Sequence, residues 1–262
     1  MWKSLRARFN QGRRTLGFPD EEVVPPDRYR GSPALDPSRC REGCAACVEA
    51  CPTGALRVDE HGPQLDLGRC LFCAECTEQC PDGAIQFGHD YRMATRTRGD
   101  LLVRDRGVSL AQALDDRLRR IYGRSLRLRQ VSAGGCNACE ADVNVLSTVV
   151  FDLSRFGIEF VASPRHADGL LVTGALSRNM QLALEKTYAA VPKPCFVIAV
   201  GACAISGGPY VDHPEVRNGI EGTVPIDLYV PGCPPHPLTI LDGLLRLLGR
   251  IESEARSVED PR

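Results

Sequence analysis

The sequence predicts two units in tandem: a small α+β unit organised around closely spaced cysteines, then an α/β unit with a parallel sheet. Three observations predict it. The chain has 262 residues, which at roughly 100–200 residues per domain accommodates two cores. Eight of its 13 cysteines fall in two tight quartets between residues 40 and 80. From about Leu126 onward, apolar runs alternate with helical segments, the pattern of a parallel sheet covered on both faces.

Composition narrows the function classes. With 32 basic residues against 33 acidic ones the net charge is -1, which argues against bulk electrostatic attachment to nucleic acid. The content of 43% hydrophobic and 25% charged residues is that of an ordinary globular protein, and no stretch approaches the ~18 consecutive apolar residues of a membrane span.

The chain opens with a basic segment, residues 1–30. Lys3, Arg6, Arg8, Arg13 and Arg14 come before any acidic residue, and Trp2, Leu5 and Phe9 are spaced to share a helical face, as in an interfacial or partner-docking helix. The plain alternative is a solvated, frayed terminus. Arg13-Arg14 invites a twin-arginine export reading, but TLGFPDEEVVPPD after it lacks the apolar core of ~7–15 residues that such a signal needs. The expectation is a protein that stays in the cytoplasm.

Residues 31–95 form the cysteine-rich unit. Cys70-x2-Cys73-x2-Cys76-x3-Cys80 is followed by Pro81, the run that holds 4Fe-4S cubanes and sends its fourth thiolate to a second cluster. Cys40-x3-Cys44-x2-Cys47-x3-Cys51 with Pro52 repeats it with one extra residue in the first gap; the last three cysteines of each quartet share a constant offset, and PTGAL after Cys51 matches PDGAI after Cys80. An odd cysteine count at such short intervals, without a signal peptide, fits a disulfide framework poorly. Structural zinc sites usually pair C-x2-C knuckles across a dozen or more residues, unlike these quartets. The region resembles the two-cluster ferredoxin family. That resemblance implies crossed ligation, with Cys40, Cys44, Cys47 and Cys80 holding one cluster and Cys70, Cys73, Cys76 and Cys51 the other.

Residues 96–124 read as an Arg-rich linker with a helix. The stretch 91–129 carries eleven Arg against four Asp, and a helix is expected from Leu110 to Tyr122, capped by Ser109 and ended by Gly123. A solvated face is the plain role, an anionic partner surface or lipid headgroups the sharper one.

Residues 125–251 form the α/β unit. Strands are expected at Leu126–Ser132, Ile158–Ala162, Gly169–Thr173, Cys195–Val200 and Ile226–Val230. Helices are expected over 140–153, with Val143, Leu146, Val150 and Leu153 on its apolar face, over 180–190, and over 238–248. Cys136, Cys139, Cys203 and Cys233 all lie just beyond carboxyl ends of strands, the edge where open α/β sheets bind ligands. Gly135, Gly201 and Gly232 beside them are candidate cofactor-binding positions, since glycine lets backbone approach a bulky group and turn sharply. Four buried structural thiols or a zinc site are the alternatives. Cys195, inside an apolar strand, is expected to be structural. Residues 252–262 form a polar tail.

GGCNACEADVNVL, FGIEFVASPRHADGLLVTGAL, VIAVGACAISGGPY and VPIDLYVPGCPPHP together resemble the superfamily that joins the nickel-iron hydrogenase small subunit to the B-type subunit of complex I (NADH-quinone oxidoreductase). The resemblance implies a flavodoxin-like domain with one 4Fe-4S cluster on Cys136, Cys139, Cys203 and Cys233, nearest the active site of a partner large subunit. Complex I subunits carry an adjacent cysteine pair, whereas this chain has Cys136-Asn137-Ala138-Cys139, which favours the hydrogenase side. Only 29 residues follow Cys233, which fits the membrane-associated, formate-hydrogenlyase-like group better than periplasmic hydrogenases. Glu140 matches an acidic position of the family, with a proton-transfer role as one reading and a capping carboxylate as the other.

The expected function is electron relay through three 4Fe-4S clusters to or from a partner's active site, since the chain carries no nucleophile–base pair, phosphate loop or nucleotide fingerprint. Expected partners are a protein like the hydrogenase large subunit or the D-type subunit of complex I, membrane subunits reached through the N-terminal segment, and a soluble electron donor or acceptor. Such a complex is expected at the inner face of the cytoplasmic membrane. The rival readings are a nickel-free complex I-like quinone oxidoreductase subunit and a free-standing iron–sulfur carrier.

Overall fold

The computed structural model describes residues 2–105, 107–123 and 125–251; the predicted polar tail lies outside them. Helix α1 (Trp2–Gln11) leads into an irregular stretch, and strand β1 (Pro33–Leu35) opens the cysteine-rich unit. Helix α2 (Ala46–Glu49), the hairpin β2 (Leu56–Asp59) and β3 (Gly62–Asp66), helix α3 (Glu75–Gln79) and strand β4 (Ile85–Phe87) follow. β1 and β4 pair antiparallel, closing the unit on itself, and β5 (Leu102–Val103) adds to β3 from the Arg-rich stretch.

The Arg-rich helix α4 is Asp116–Tyr122, shorter than the expected 110–122. Backbone groups before it are taken elsewhere: Ala111 N–H donates to the Ala94 carbonyl and Leu114 N–H to that of Leu247. The cap is therefore Asp115, whose carboxylate accepts from Leu118 N–H at 3.0 Å, rather than Ser109. Gly123 ends the helix as expected, bonding back to the Arg119 carbonyl.

The second unit holds β6 (Leu126–Ser132), α5 (Ala138–Val145), β7 (Ile158–Phe160), β8 (Gly169–Thr173), α6 (Arg178–Ala190), β9 (Phe196–Val200), α7 (Ala202–Ser206), β10 (Leu228–Val230) and α8 (Pro237–Leu247). Its five strands are all parallel in the order β7-β6-β8-β9-β10. Counted within the sheet this is 2-1-3-4-5, the flavodoxin-like doubly wound order, whose ligand crevice lies where the order reverses. β8 and β9 are buried at every residue, as expected of strands covered on both faces.

The helix expected over 140–153 stops at Val145. The Thr148 hydroxyl takes the Val145 carbonyl at 2.7 Å, and the β-branched run Thr148-Val149-Val150 is a poor helix former. The carbonyls of Val149 and Val150 instead accept from Thr15 and Leu16 of the N-terminal segment. Val150, placed on the apolar face by periodicity, is exposed.

One core runs between the units. Leu56, Leu65, Leu67 and the buried cysteines of the first unit pack in the same cluster as Val131, Leu170, Val172 and Ile205 of the second. α8 is buried along its whole length and carries a buried Asp242–Arg246 ion pair at 2.7 Å. The two units thus share a core.

Candidate metal centres

The short helices α2 and α3 start just beyond Cys44 and Cys73 and carry Cys47 and Cys76 into the interior. Each quartet contributes its first three cysteines to one cavity and its last to the other. Cys40, Cys44, Cys47 and Cys80 line one pocket with Pro63, Pro81 and Ile85. Cys51, Cys70, Cys73 and Cys76 line a second with Pro52, Leu56, Leu65 and Phe87. The matching linings reflect the sequence repeat.

Equivalent backbone donors face equivalent sulfurs. Ala55 N–H points at Cys51 Sγ and Ala84 N–H at Cys80 Sγ, both at 3.2 Å; these alanines are the fourth residues of PTGAL and PDGAI. Phe72 N–H meets Cys70 Sγ at 3.3 Å. Such donors favour the charged form of a sulfur and tune a bound cluster.

The thiols also report their neighbours. Burial, then the Cys80 and Cys40 sulfurs, raise the Cys47 thiol. Burial, then Cys51 and Cys73, push Cys76 up to about 11, and Cys47 contributes as well. Burial is the first cause of the raised Cys70 thiol, followed among its sulfur neighbours by Cys76 and Cys51. Metal ligation displaces the proton from such thiols.

The third group forms at the carboxyl edge of the parallel sheet. Cys136 and Cys139 sit on the turn from β6 into α5, Cys203 on α7 after β9, and Cys233 after β10. Burial raises Cys139, with Cys203 the next cause; burial and then Cys233 and Cys136 push Cys203 up to about 12. Burial, then Cys136 and Cys73, raise Cys233. Cys136 itself is exposed, leaving this group open to the surface.

Two glycines are required here. Gly201 has φ +90°, and a Cβ there would stand 2.6 Å from Cys139 Sγ. Gly232 has φ +147°, and its Cβ would stand 2.3 Å from Pro235 Cα. No side chain fits either place.

The donor set fits iron–sulfur clusters. Each of the first two groups lines one pocket with four thiols, and the thiols of the third influence one another at the sheet edge.

Comparison with known proteins agrees with this geometry. The 4Fe-4S dicluster domain family matches residues 23–84, and the family described as NADH ubiquinone oxidoreductase, 20 kDa subunit, matches residues 136–247. The B subunit of NADH-quinone oxidoreductase from Heliobacterium modesticaldum is 39% identical over 47% of this chain and 71% of its own length. A protein described as a membrane-bound hydrogenase subunit of Pyrococcus furiosus is 37% identical over 50% of this chain and 79% of its own. The chain belongs to the NADH-ubiquinone oxidoreductase 20 kDa subunit family. Formate hydrogenlyase subunit 7 of Escherichia coli is 43% identical over 131 residues, and the match spans 50% of this chain and 51% of that protein, about half its length.

The match to the 20 kDa subunit family begins at Cys136 and takes in Cys139, Cys203 and Cys233; the dicluster match takes in the other eight. Glu140 is buried, its carboxylate accepting from Ser132 Oγ at 2.6 Å and Thr173 Oγ1 at 2.7 Å. Burial opposes ionisation there, but these hydrogen bonds outweigh it and lower its pKa. Gly135 stands against this carboxylate and Gly174.

Cys195 packs against the core as a structural thiol, but it precedes β9 rather than lying within it, half-buried, with Lys193 Nζ at 2.9 Å from its sulfur. The sequence reading also missed Gly208, whose Cβ would stand 2.9 Å from Cys203 Sγ, and Thr53, which ties PTGAL to the Arg69 carbonyl at 2.7 Å. The Gly207-Gly208 pair so soon after Cys203 was the signal available for the first; nothing in sequence marked the second.

Proposed function

We propose that the chain is the electron-relay subunit of a membrane-associated, nickel-iron hydrogenase-like complex of the formate-hydrogenlyase type. One observation carries this reading: the three thiol groups lie side by side. Helix α2, which carries Cys47, packs against α3, which carries Cys76, and Ser206 on the helix of Cys203 donates to the carbonyl of Gly68, two residues before Cys70. When bound, 4Fe-4S clusters supply one-electron transfer at potentials set by burial, hydrogen bonding and charge.

In this reading Cys40, Cys44, Cys47 and Cys80 hold the outer cluster, Cys51, Cys70, Cys73 and Cys76 the middle one, and Cys136, Cys139, Cys203 and Cys233 the third. Gly201 keeps space beside Cys139 of the third, and Gly232 lets the chain turn tightly against Pro235 after β10. Exposed Cys136 marks the face for a partner like the hydrogenase large subunit or the D-type subunit of complex I, and a soluble carrier meets the outer group. Residues 31–95 and 125–251 act as the two cluster-bearing domains, joined by 96–124. Glu140, an acceptor held by two hydroxyls beside Cys139, is the residue for proton movement at that boundary. α1, with Trp2, Phe9 and its basic residues exposed, docks the subunit on membrane subunits at the cytoplasmic face; no described helix is long and apolar enough to cross a membrane.

The quinone-linked reading has its own support in the similarity to the B subunit of NADH-quinone oxidoreductase. Nickel analysis of the complex purified from its host separates the two. The test of the relay itself is anaerobic purification with iron and sulfide counting and reduced-state EPR: three cubanes give about twelve irons per chain. A count near eight rejects one site, and zinc without sulfide rejects the reading.

A further inference from the structure

Tyr29 and Arg30 lie outside all three thiol groups, yet this dipeptide touches both sides of the gap between the second group and the third. Arg30 Nη1 donates to the Cys73 carbonyl at 2.8 Å and to the Phe72 carbonyl at 3.2 Å. The Tyr29 hydroxyl lies 3.4 Å from Thr239 Oγ1, and its ring packs edge-on to His236 with centroids 5.1 Å apart. His236 in turn accepts from Leu238 N–H and caps α8, three residues beyond Cys233.

We propose that Tyr29-Arg30 is a staple that positions the middle-to-third electron step; this rests on the three-cluster reading. Adjacent residues of one chain cannot separate, so a grip on the Cys73 loop by Arg30 and on the Cys233–His236 turn by Tyr29 fixes the distance between them. Electron tunnelling falls steeply with that distance. Both acceptors of Arg30 are neutral carbonyls, so its charge is not cancelled by them. A fixed positive charge beside Cys73 favours the reduced state of a cluster held there and raises its potential. Arg30 is solvent-exposed, so screening keeps that effect moderate. Both residues are positioning residues.

The test uses the full chain, purified anaerobically, with Arg30→Gln, Arg30→Lys and Tyr29→Ala. Iron counting and EPR of the unmodified chain come first: about twelve irons and magnetically interacting clusters sustain the underlying reading, and a count near eight overturns that reading and the staple with it. Given twelve, Arg30→Gln is expected to keep its iron, lower the midpoint potential of the middle cluster and weaken its magnetic interaction with the third. Tyr29→Ala is expected to weaken the interaction while leaving that potential in place. Potential and interaction both unchanged in Arg30→Gln overturn the staple alone. If Arg30→Gln sheds iron, Arg30→Lys decides: a retained potential with weakened interaction supports the staple, and an unmoved interaction overturns it.

Discussion

The hydroxyl of Ser206 donates to the Gly68 carbonyl at 2.7 Å, a buried bond joining the helix of Cys203 to the turn that leads into Cys70. On the same turn, Gly68 N–H donates to Asp66, whose carboxylate is gripped by Arg98 through two bonds. A Cβ on Gly68 would stand 2.7 Å from Ile205 Cγ2 and 3.0 Å from the Arg98 guanidinium. Ser206→Ala leaves a buried carbonyl short of a donor and is expected to cost about 1–3 kcal/mol. Gly68→Ala overpacks the seam at a similar roughly 1–3 kcal/mol. Denaturant unfolding of each variant checks both; an unchanged midpoint would show that the seam does not bind the units together.

Crossed ligation predicts an outcome that sequence order alone would not. Cys80→Ser should empty the cavity it shares with Cys40, Cys44 and Cys47, and Cys51→Ser the one it shares with Cys70, Cys73 and Cys76. Each should lower the iron count by about four, with the EPR signature of the opposite quartet's cluster lost. Loss of the cluster belonging to the substituted residue's own quartet would refute the assignment.

What was legible in the sequence was whatever short-range chemistry dictates. The quartets and the strands at 126–132 and 169–173 were readable because thiol spacing and apolar runs are local signals. Helix ends were less so. α5 stops at Val145 because Thr15 and Leu16, far away in sequence, claim the carbonyls that a longer helix would use, and α4 begins late because Ala94 and Leu247 claim amides ahead of it. Cys195 packs against the core as its apolar neighbours suggest, but it stands just before the strand, where Lys193 also reaches it. Arg30 and Ser206 carried no signal at all, since their partners are backbone carbonyls, which sequence does not reveal.

Gly201→Ala tests whether the third group tolerates a side chain beside Cys139. The new methyl would stand 2.6 Å from Cys139 Sγ, at a φ of +90° that side chains rarely adopt. Backbone strain of about 1–3 kcal/mol adds to the clash, since φ +90° with ψ 156° is a nearly glycine-only conformation. The expected result is a fall from about twelve irons to about eight, with both ferredoxin-type signals intact. Full iron in this variant would remove Gly201 from the cofactor-binding set.

The exposed Asp59–Arg104 pair predicts a titration. Hydrogen bonds from Arg104 and from His61 N–H hold the Asp59 carboxyl at about 2. Because the folded value is depressed, the pair's contribution is present above the ordinary carboxylate range and lost as pH falls toward 2. Arg104→Gln should move the Asp59 midpoint upward in an NMR titration. A midpoint already in the ordinary range in the unmodified protein would contradict the pairing.

The N-terminal helix predicts how the subunit is retained. Trp2 is 85% and Phe9 88% exposed, and no residue of α1 is buried, so docking is what would give these aromatics cover. Full burial of an aromatic is worth about 1.5–3 kcal/mol, so even half-burial of both makes Trp2→Ser with Phe9→Ser weaken attachment by roughly tenfold or more. Arg6, Arg8, Arg13 and Arg14 should make that attachment salt-sensitive. The measurement is the fraction of subunit left on washed host membranes at low and high salt. Equal retention of the double variant and the unmodified chain would show that α1 is a solvated terminus rather than an anchor.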